Sequence, residues 1–92
     1  MAVTVKIPTQ LRSVTGGEGE TTVDGATTVG EVLSAVYAQH EELRERLADG
    51  DGGLRRFVNV YVDGEDVRFG DGLQTAVSDG SELQILPAVA GG

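Results

Sequence analysis

The 92-residue sequence contains no cysteine, one histidine (His40) and one lysine (Lys6). Without cysteine the chain has no disulfide, no thiolate nucleophile and no cysteine-ligated metal centre. A single histidine rules out a multi-histidine metal site, so we predict no metal ligands in this chain. A domain of this length buries roughly two-thirds of its unfolded surface, which leaves little room for an enclosed active site. We therefore expect a protein that is not an enzyme.

Positive charge is also scarce, with 7 basic residues against 15 acidic ones and a net charge of −8. Nucleic-acid binding requires clustered lysine and arginine, so this composition argues against it. The acidity favours either attraction to basic protein partners or simply a solvated surface. No apolar run approaches 18 residues, and the N-terminus lacks the pattern of a signal peptide. The sequence thus predicts a cytoplasmic protein with no membrane association.

The first 25 residues have the pattern of a β-hairpin. Val3, Val5 and Ile7 alternate with polar residues, which is typical of a half-buried strand, and Pro8 ends that run because it has no N–H to donate. Residues 20–23 favour a second, short strand. The connection between them contains a glycine pair, as hairpin loops often do.

An amphipathic helix follows. Thr28 and Glu31 form a capping box, and apolar residues recur with helical spacing from Val29 to Tyr37. Leu43 and Leu47 extend the pattern into one or two more highly charged helical turns. Residues 49–53 contain only aspartate and glycine; we interpret them as a loop, because a calcium loop needs more carboxylates at set positions.

The remaining sequence predicts a second hairpin and a last strand. Residues 57–62 have high β-propensity, and Asp63-Gly64 favours a type I′ turn. We place Val67 and Phe69 in the returning strand, and a loop with one 3₁₀ turn at residues 70–77. A tight turn at residues 78–81 precedes a strand with buried Leu83 and Ile85, which Pro87 ends.

This order of elements predicts an α+β fold of the β-grasp (ubiquitin-like) type. In that fold a mixed sheet of about five strands packs on one main helix. The position of the last strand beside the first rests on analogy with the fold. We predict a domain at residues 1–86 and a flexible tail at residues 87–92.

The tail has one group suited to covalent chemistry, the α-carboxylate of Gly92. Fully extended, residues 87–92 span on the order of 20 Å, enough to enter the active site of another protein. Pro87, Ala88, Val89 and Ala90 carry no charge, and Gly91 and Gly92 have no Cβ, so they suit a narrow channel. A carboxylate is a poor electrophile and needs activation, for example by adenylation. The alternative is a frayed terminus, which we disfavour after a β-grasp pattern.

Four stretches of the sequence resemble one known family: residues 55–62, residues 64–69, the turn at Asp79-Gly80 and residues 85–92. Together they are similar to the MoaD/ThiS-family ubiquitin-like sulfur carriers over essentially the whole chain. The ending Leu-Pro-Ala-Val-Ala-Gly-Gly is the most specific part. It resembles the CysO type of carrier, which serves actinobacterial cysteine biosynthesis.

The resemblance implies that an E1-like adenylating enzyme of the MoeB type, with ATP and magnesium, activates Gly92. Sulfur transfer then gives a thiocarboxylate. In the CysO type, a pyridoxal-phosphate (PLP)-dependent cysteine synthase binds the tail and accepts the sulfur, and a zinc metalloprotease releases cysteine. ATP, magnesium, PLP and zinc thus belong to the partner enzymes, and the chain itself needs no cofactor. We expect a monomer when the carrier is free.

Leu86 is out of phase with Leu83 and Ile85, so it is predicted to point outward. Because residues 57–62 are apolar on both strand faces, we also expect an exposed apolar patch near the tail. The family resemblance implies partner contacts at Leu86, Val58 and Arg12; for Leu86, a partly covered edge position is the alternative. Two other functions stay open: a ubiquitin-like protein modifier, and the small subunit of a molybdopterin-synthase-type complex.

Overall fold

The computed structural model describes residues 2–48, 54 and 58–87. The strands are β1 (Ala2–Lys6), β2 (Glu20–Asp24), β3 (Val58–Val62), β4 (Glu65–Asp66) and β5 (Glu82–Pro87). Two α-helices, α1 (Val29–Gln39) and α2 (Glu41–Leu47), follow β2. Three 3₁₀ segments lie at Thr9–Thr15, Val67–Phe69 and Gly72–Gln74.

The five strands form one mixed sheet in the order β2-β1-β5-β3-β4. The last strand, β5, lies at the centre, parallel to β1 and antiparallel to β3. Strands β1 and β2 form the first predicted hairpin, and β3 and β4 the second. This is the predicted β-grasp arrangement. Its consequence for function is that the segment before the tail is the middle strand of the sheet.

The start of helix α1 is fixed by the predicted capping residues. Thr28 Oγ1 accepts a hydrogen bond from the Glu31 N–H at 3.2 Å. The Glu31 carboxylate reaches back to accept from the Thr27 N–H at 2.7 Å and from the Thr27 hydroxyl at 2.8 Å. These bonds hold the pKa of Glu31 below its ordinary value. The helix packs its apolar face on the sheet through Val29, Val32, Leu33 and Val36.

Helix α2 is a separate helix and completes the layer above the sheet. His40 lies between the two helices, with φ −139° and ψ 85°, values outside the helical region. Leu43 and Leu47, the two residues predicted to extend the apolar pattern, are fully buried. The core therefore lies between one face of the sheet and two helices, of which α1 is the longer.

The second hairpin differs from its prediction after the turn. Asp63 and Gly64 both have positive φ, 50° and 90°, as a type I′ turn requires. The returning strand, however, ends at Asp66, and Val67–Phe69 forms a 3₁₀ turn. The placement of Val67 and Phe69 in a strand was wrong. Asp66 Oδ1 accepts from the Arg68 N–H at 2.8 Å, and this local bond competes with continued strand pairing.

Strand β5 includes Pro87 as its last residue, so the sheet extends one residue into the predicted tail, because Pro87 still pairs with Val58 of β3. The five tail residues after it, 88–92, lie outside the described residues, as do the predicted loop at 49–53 and Phe57. Within the described part of the chain, neither helix has the length and hydrophobicity to span a membrane.

Candidate functional site at the end of strand β5

The residues that lead into the tail alternate between core and surface. Leu83 and Ile85 are fully buried, whereas Leu86 is 38% exposed. The predicted outward orientation of Leu86 is therefore what the structure shows. Its role in docking a partner stays a prediction, and so do the roles of Gly92 and the tail residues.

Strand β5 changes its surroundings as it approaches the tail. Its pairing with β1 covers Glu82, Leu83 and Gln84, and ends there because β1 stops before Pro8. Its pairing with β3 continues further, to Pro87 opposite Val58. The last residues before the tail thus have a strand neighbour on one side only.

On the β1 side, an open groove of about 700 Å³ lies where a strand neighbour is missing. Leu86 and Arg12 both line this groove, so the structure brings together two of the three predicted docking residues. The Arg12 side chain is exposed, and its Nε donates to the Ile7 carbonyl at 3.2 Å. Gly19 provides the space for it, since a Cβ there would lie 3.1 Å from the guanidinium.

Lys6 and Glu20 form an ion pair in the same groove, with 2.5 Å between Nζ and Oε2. The hydrogen bond from Lys6 and the negative charge of Glu20 raise the pKa of Lys6. The groove therefore presents the exposed side chain of Leu86 among charged side chains of both signs, which are Arg12, Lys6, Glu18, Glu20 and Glu82. Such a mixed surface suits an apolar residue of a partner surrounded by polar contacts.

The third predicted docking residue, Val58, lies elsewhere. Its side chain is only 3% exposed, because the even-numbered residues of β3 point into the core. In the free protein it offers a partner no apolar surface. The outward positions of β3 are Asn59 and Tyr61, both half-buried. The described part of this strand therefore adds no aliphatic side chain to the expected patch.

Among the described residues, a second large apolar side chain is exposed that the sequence did not reveal. Phe69 is 92% exposed on the 3₁₀ turn after β4, where its neighbour Val67 is buried. The predicted strand placed Val67 and Phe69 on the same face, so it did not predict that one is buried and the other exposed. A usable signal was present: an aspartate two residues before Arg68 can cap a turn and end the strand.

Chemistry within the described residues is limited. They contain no group of three or more histidine, aspartate or glutamate side chains placed to hold a metal ion. Beside the start of the tail, the structure shows an exposed apolar side chain and an open groove bordered by charged residues.

Comparison with known proteins agrees with this geometry. Residues 5–92 match the ThiS family. The sulfur carrier protein CysO of Mycobacterium tuberculosis is 52% identical, and the alignment covers all of both chains.

Solved structures give the same result. A chain in the crystal structure of the BexX/CysO complex from Amycolatopsis orientalis is 50% identical, with a TM-score of 0.88. That comparison covers 98% of this chain and 99% of the other. The small archaeal modifier protein 1 of Haloferax volcanii is 31% identical, with a TM-score of 0.83 over 96% of this chain and 98% of its own.

The names of these relatives denote carriers and modifiers, which agrees with the prediction that the chain is not an enzyme. The β-grasp fold is confirmed by the same structures. The match over residues 5–92 and the identity over the full length lead to one conclusion: the chain belongs to the ThiS family.

Proposed function

We propose that this protein is a sulfur carrier whose Gly92 α-carboxylate is adenylated and then converted to a thiocarboxylate. The observation that carries the proposal is the 52% identity to CysO, a sulfur carrier protein, over the whole of both chains. The fold supports it, because the central strand β5 leads directly into the tail and displays Leu86 beside an open groove.

Activation of Gly92 takes place in two steps, adenylation and sulfur transfer. A Gly92 carboxylate oxygen attacks the α-phosphorus of ATP, and pyrophosphate leaves with its electron pair. Sulfide, or a sulfur donor of equivalent oxidation state, attacks the acyl carbon, and AMP leaves. The product is a thiocarboxylate in which sulfur replaces one oxygen. This protein supplies the carboxylate and the docking surface; the E1-like enzyme supplies the magnesium–ATP site.

We further propose that the acceptor is an enzyme of the PLP-dependent cysteine synthase class. The thiocarboxylate sulfur adds to an electrophilic alkene carbon, and an acyl shift from sulfur to nitrogen leaves cysteine attached to Gly92. Hydrolysis by a zinc metalloprotease then restores the carboxylate. Within the carrier, these steps require only a tail that reaches into each enzyme in turn.

Mass spectrometry of the intact protein tests the first step. The carrier is incubated with the E1-like enzyme, ATP, magnesium and sulfide, and we expect the exchange of one oxygen for sulfur at Gly92. The matched control carries one extra residue after Gly92, which should fold normally and show no exchange. Absence of exchange in the unmodified carrier, or full exchange in the extended one, would contradict the proposal.

A second candidate function is that of a protein modifier. The similarity to a small archaeal modifier protein favours it. In that case the activated Gly92 forms an isopeptide bond with a lysine of a target protein. Proteolysis of a cell extract would then yield lysine peptides carrying the Gly92 remnant, with no thiocarboxylate on the free protein. Mass spectrometry of the free carrier and of the digested extract therefore distinguishes the two functions.

A further inference from the structure

β3, the strand that pairs with the end of β5, is itself paired with β4 over only part of its length. β4 pairs with β3 at only two positions, Glu65 opposite Val62 and Asp66 opposite Tyr61. Continued in the same register, residue 69 would lie opposite Val58. The chain instead turns away at Val67, so within the described residues no strand lies along the outer edge of β3 near the tail.

The alternation of hydrogen bonds along β3 and β5 shows which backbone group of β3 would have bonded to a longer β4. The Asp63 N–H donates to the Glu82 carbonyl at 2.9 Å, which marks that position as a hydrogen-bonded pair. Because such pairs alternate along antiparallel strands, Asn59 and Leu86 form another, whereas Val58 and Pro87 do not. The Val58 carbonyl therefore points away from β5, toward the uncovered edge.

Arg68 occupies that edge. Its Nη2 donates to the Val58 carbonyl at 2.6 Å, and its Nη1 donates to Asn59 Oδ1 at 3.2 Å. One planar guanidinium thus bonds two adjacent residues of β3. The Asp66 cap and the buried Val67 side chain fix the turn that carries it. Arg68 provides, with its side chain, the hydrogen bond that the backbone of a longer β4 would have provided.

The two residues that Arg68 holds are the partners of the last two residues of β5. Val58 lies opposite Pro87, and Asn59 lies opposite Leu86. Since β1 has already ended, β3 is the one strand beside them among the residues that the structure describes. The position of the tail's starting point therefore depends on β3, and the position of this part of β3 depends on Arg68.

We propose that Arg68 is a positioning residue for the activation of Gly92, because it fixes the direction in which the tail leaves the sheet. Its effect passes through Val58 and Asn59 to Leu86 and Pro87. This inference rests on the proposed function for its consequence, although the positioning itself is a property of the free protein.

Two measurements on Arg68→Met test the inference. Amide hydrogen exchange in the free protein reports local opening, and we expect the Leu86 amide to exchange about tenfold faster, as the loss of a charge-assisted hydrogen bond implies. The amides of α1 should exchange at their original rates. The kcat/KM for thiocarboxylate formation should fall by about tenfold under conditions where the variant stays fully folded.

Two further variants serve as controls. Arg46→Met makes the same substitution on the exposed face of α2 and should change neither measurement. Arg68→Lys keeps the charge but loses the planar pair of donors, so it should recover only part of the activity.

Each alternative gives a different result. An unchanged Leu86 exchange rate with a raised KM would mean that Arg68 contacts the enzyme directly, and would overturn the positioning role. Equal acceleration at every amide would mean that Arg68 serves only global stability, and would overturn it as well. If the unmodified carrier forms no thiocarboxylate, the proposed function fails, while hydrogen exchange still decides whether Arg68 positions the strand.

Discussion

Both halves of strand β5 have an extended backbone, but they differ in the number of neighbouring strands. Residues 82–84 pair with β1, and Leu83 and Gln84 also pair with β3, whereas residues 85–87 have β3 as their one strand neighbour in the described part of the chain. The second half also carries the outward-facing Leu86, which is 38% exposed, whereas Leu83 in the first half faces the core and is fully buried. We infer that the first half holds the fold together and that the second half presents the tail.

The largest effect is expected in the half with two neighbours. Leu83→Ala removes a fully buried side chain from the central strand, and should lower the free energy of unfolding by about 2–5 kcal/mol. Urea denaturation measures the change. A loss below about 1 kcal/mol would mean that this half of β5 does not anchor the core.

The next effect concerns Leu86, and it should appear in kinetics more than in stability. Leu86→Ala removes a side chain that is already partly exposed, so unfolding should change by about 1 kcal/mol or less. If a partner covers the rest of that side chain, the KM for adenylation should rise about tenfold, which corresponds to about 1.4 kcal/mol.

Steady-state kinetics with the E1-like enzyme measures this rise. Phe69→Ala is the matched control, because it removes an even more exposed apolar side chain from an edge of the sheet. A rise in KM for Phe69→Ala but not for Leu86→Ala would move the docking surface from the end of β5 to the 3₁₀ turn.

A smaller effect is expected on the β3 side, at the turn that carries Arg68. Asp66→Ala removes the oxygen that caps this turn, which should cost about 1 kcal/mol of unfolding free energy. It should also accelerate hydrogen exchange at Leu86, though less than Arg68→Met does. Asp66→Asn keeps an accepting oxygen and should resemble the unmodified protein. Exchange that is unaffected by Asp66→Ala would show that Arg68 holds its position without the cap.

The half with two neighbours was largely predictable from sequence, because its signals are periodic. Leu83 lies between the polar residues Glu82 and Gln84, and its burial follows from that alternation. The Thr28 cap and the Asp63-Gly64 turn were equally clear, since each depends on residues close in sequence. The central position of β5 came from analogy with the fold, because a parallel pairing across the chain leaves no local signal.

The half beside β3 was predicted less well, and for a physical reason. Where β4 ends depends on competition between a local bond from Asp66 and a long-range pairing with β3. Sequence patterns do not measure that balance. The same uncertainty hid the exposure of Phe69 and the contacts of Arg68.

The smallest effect is expected on the β1 side of the tail's starting point, at the ion pair of Lys6 with Glu20. Both side chains are largely exposed, at 40% and 58%, and exposed pairs contribute little. Lys6→Met should leave the urea midpoint at pH 7 and the Leu86 exchange rate unchanged within error. Glu20→Gln, which removes the other partner, should behave in the same way.

The pH dependence has a definite sign. Because the pKa of Lys6 is raised in the folded protein, any stabilisation from the pair is fully present below the ordinary lysine pKa of about 10.4. It is lost only as the pH rises through the raised value. Any difference in stability between the unmodified protein and Lys6→Met is therefore confined to pH values below the raised pKa of Lys6, where we expect it to stay within error, and it vanishes in alkali. If Lys6→Met accelerated Leu86 exchange as much as Arg68→Met does, the groove side would anchor the tail as firmly as β3, and the contrast between the two sides of β5 would be wrong.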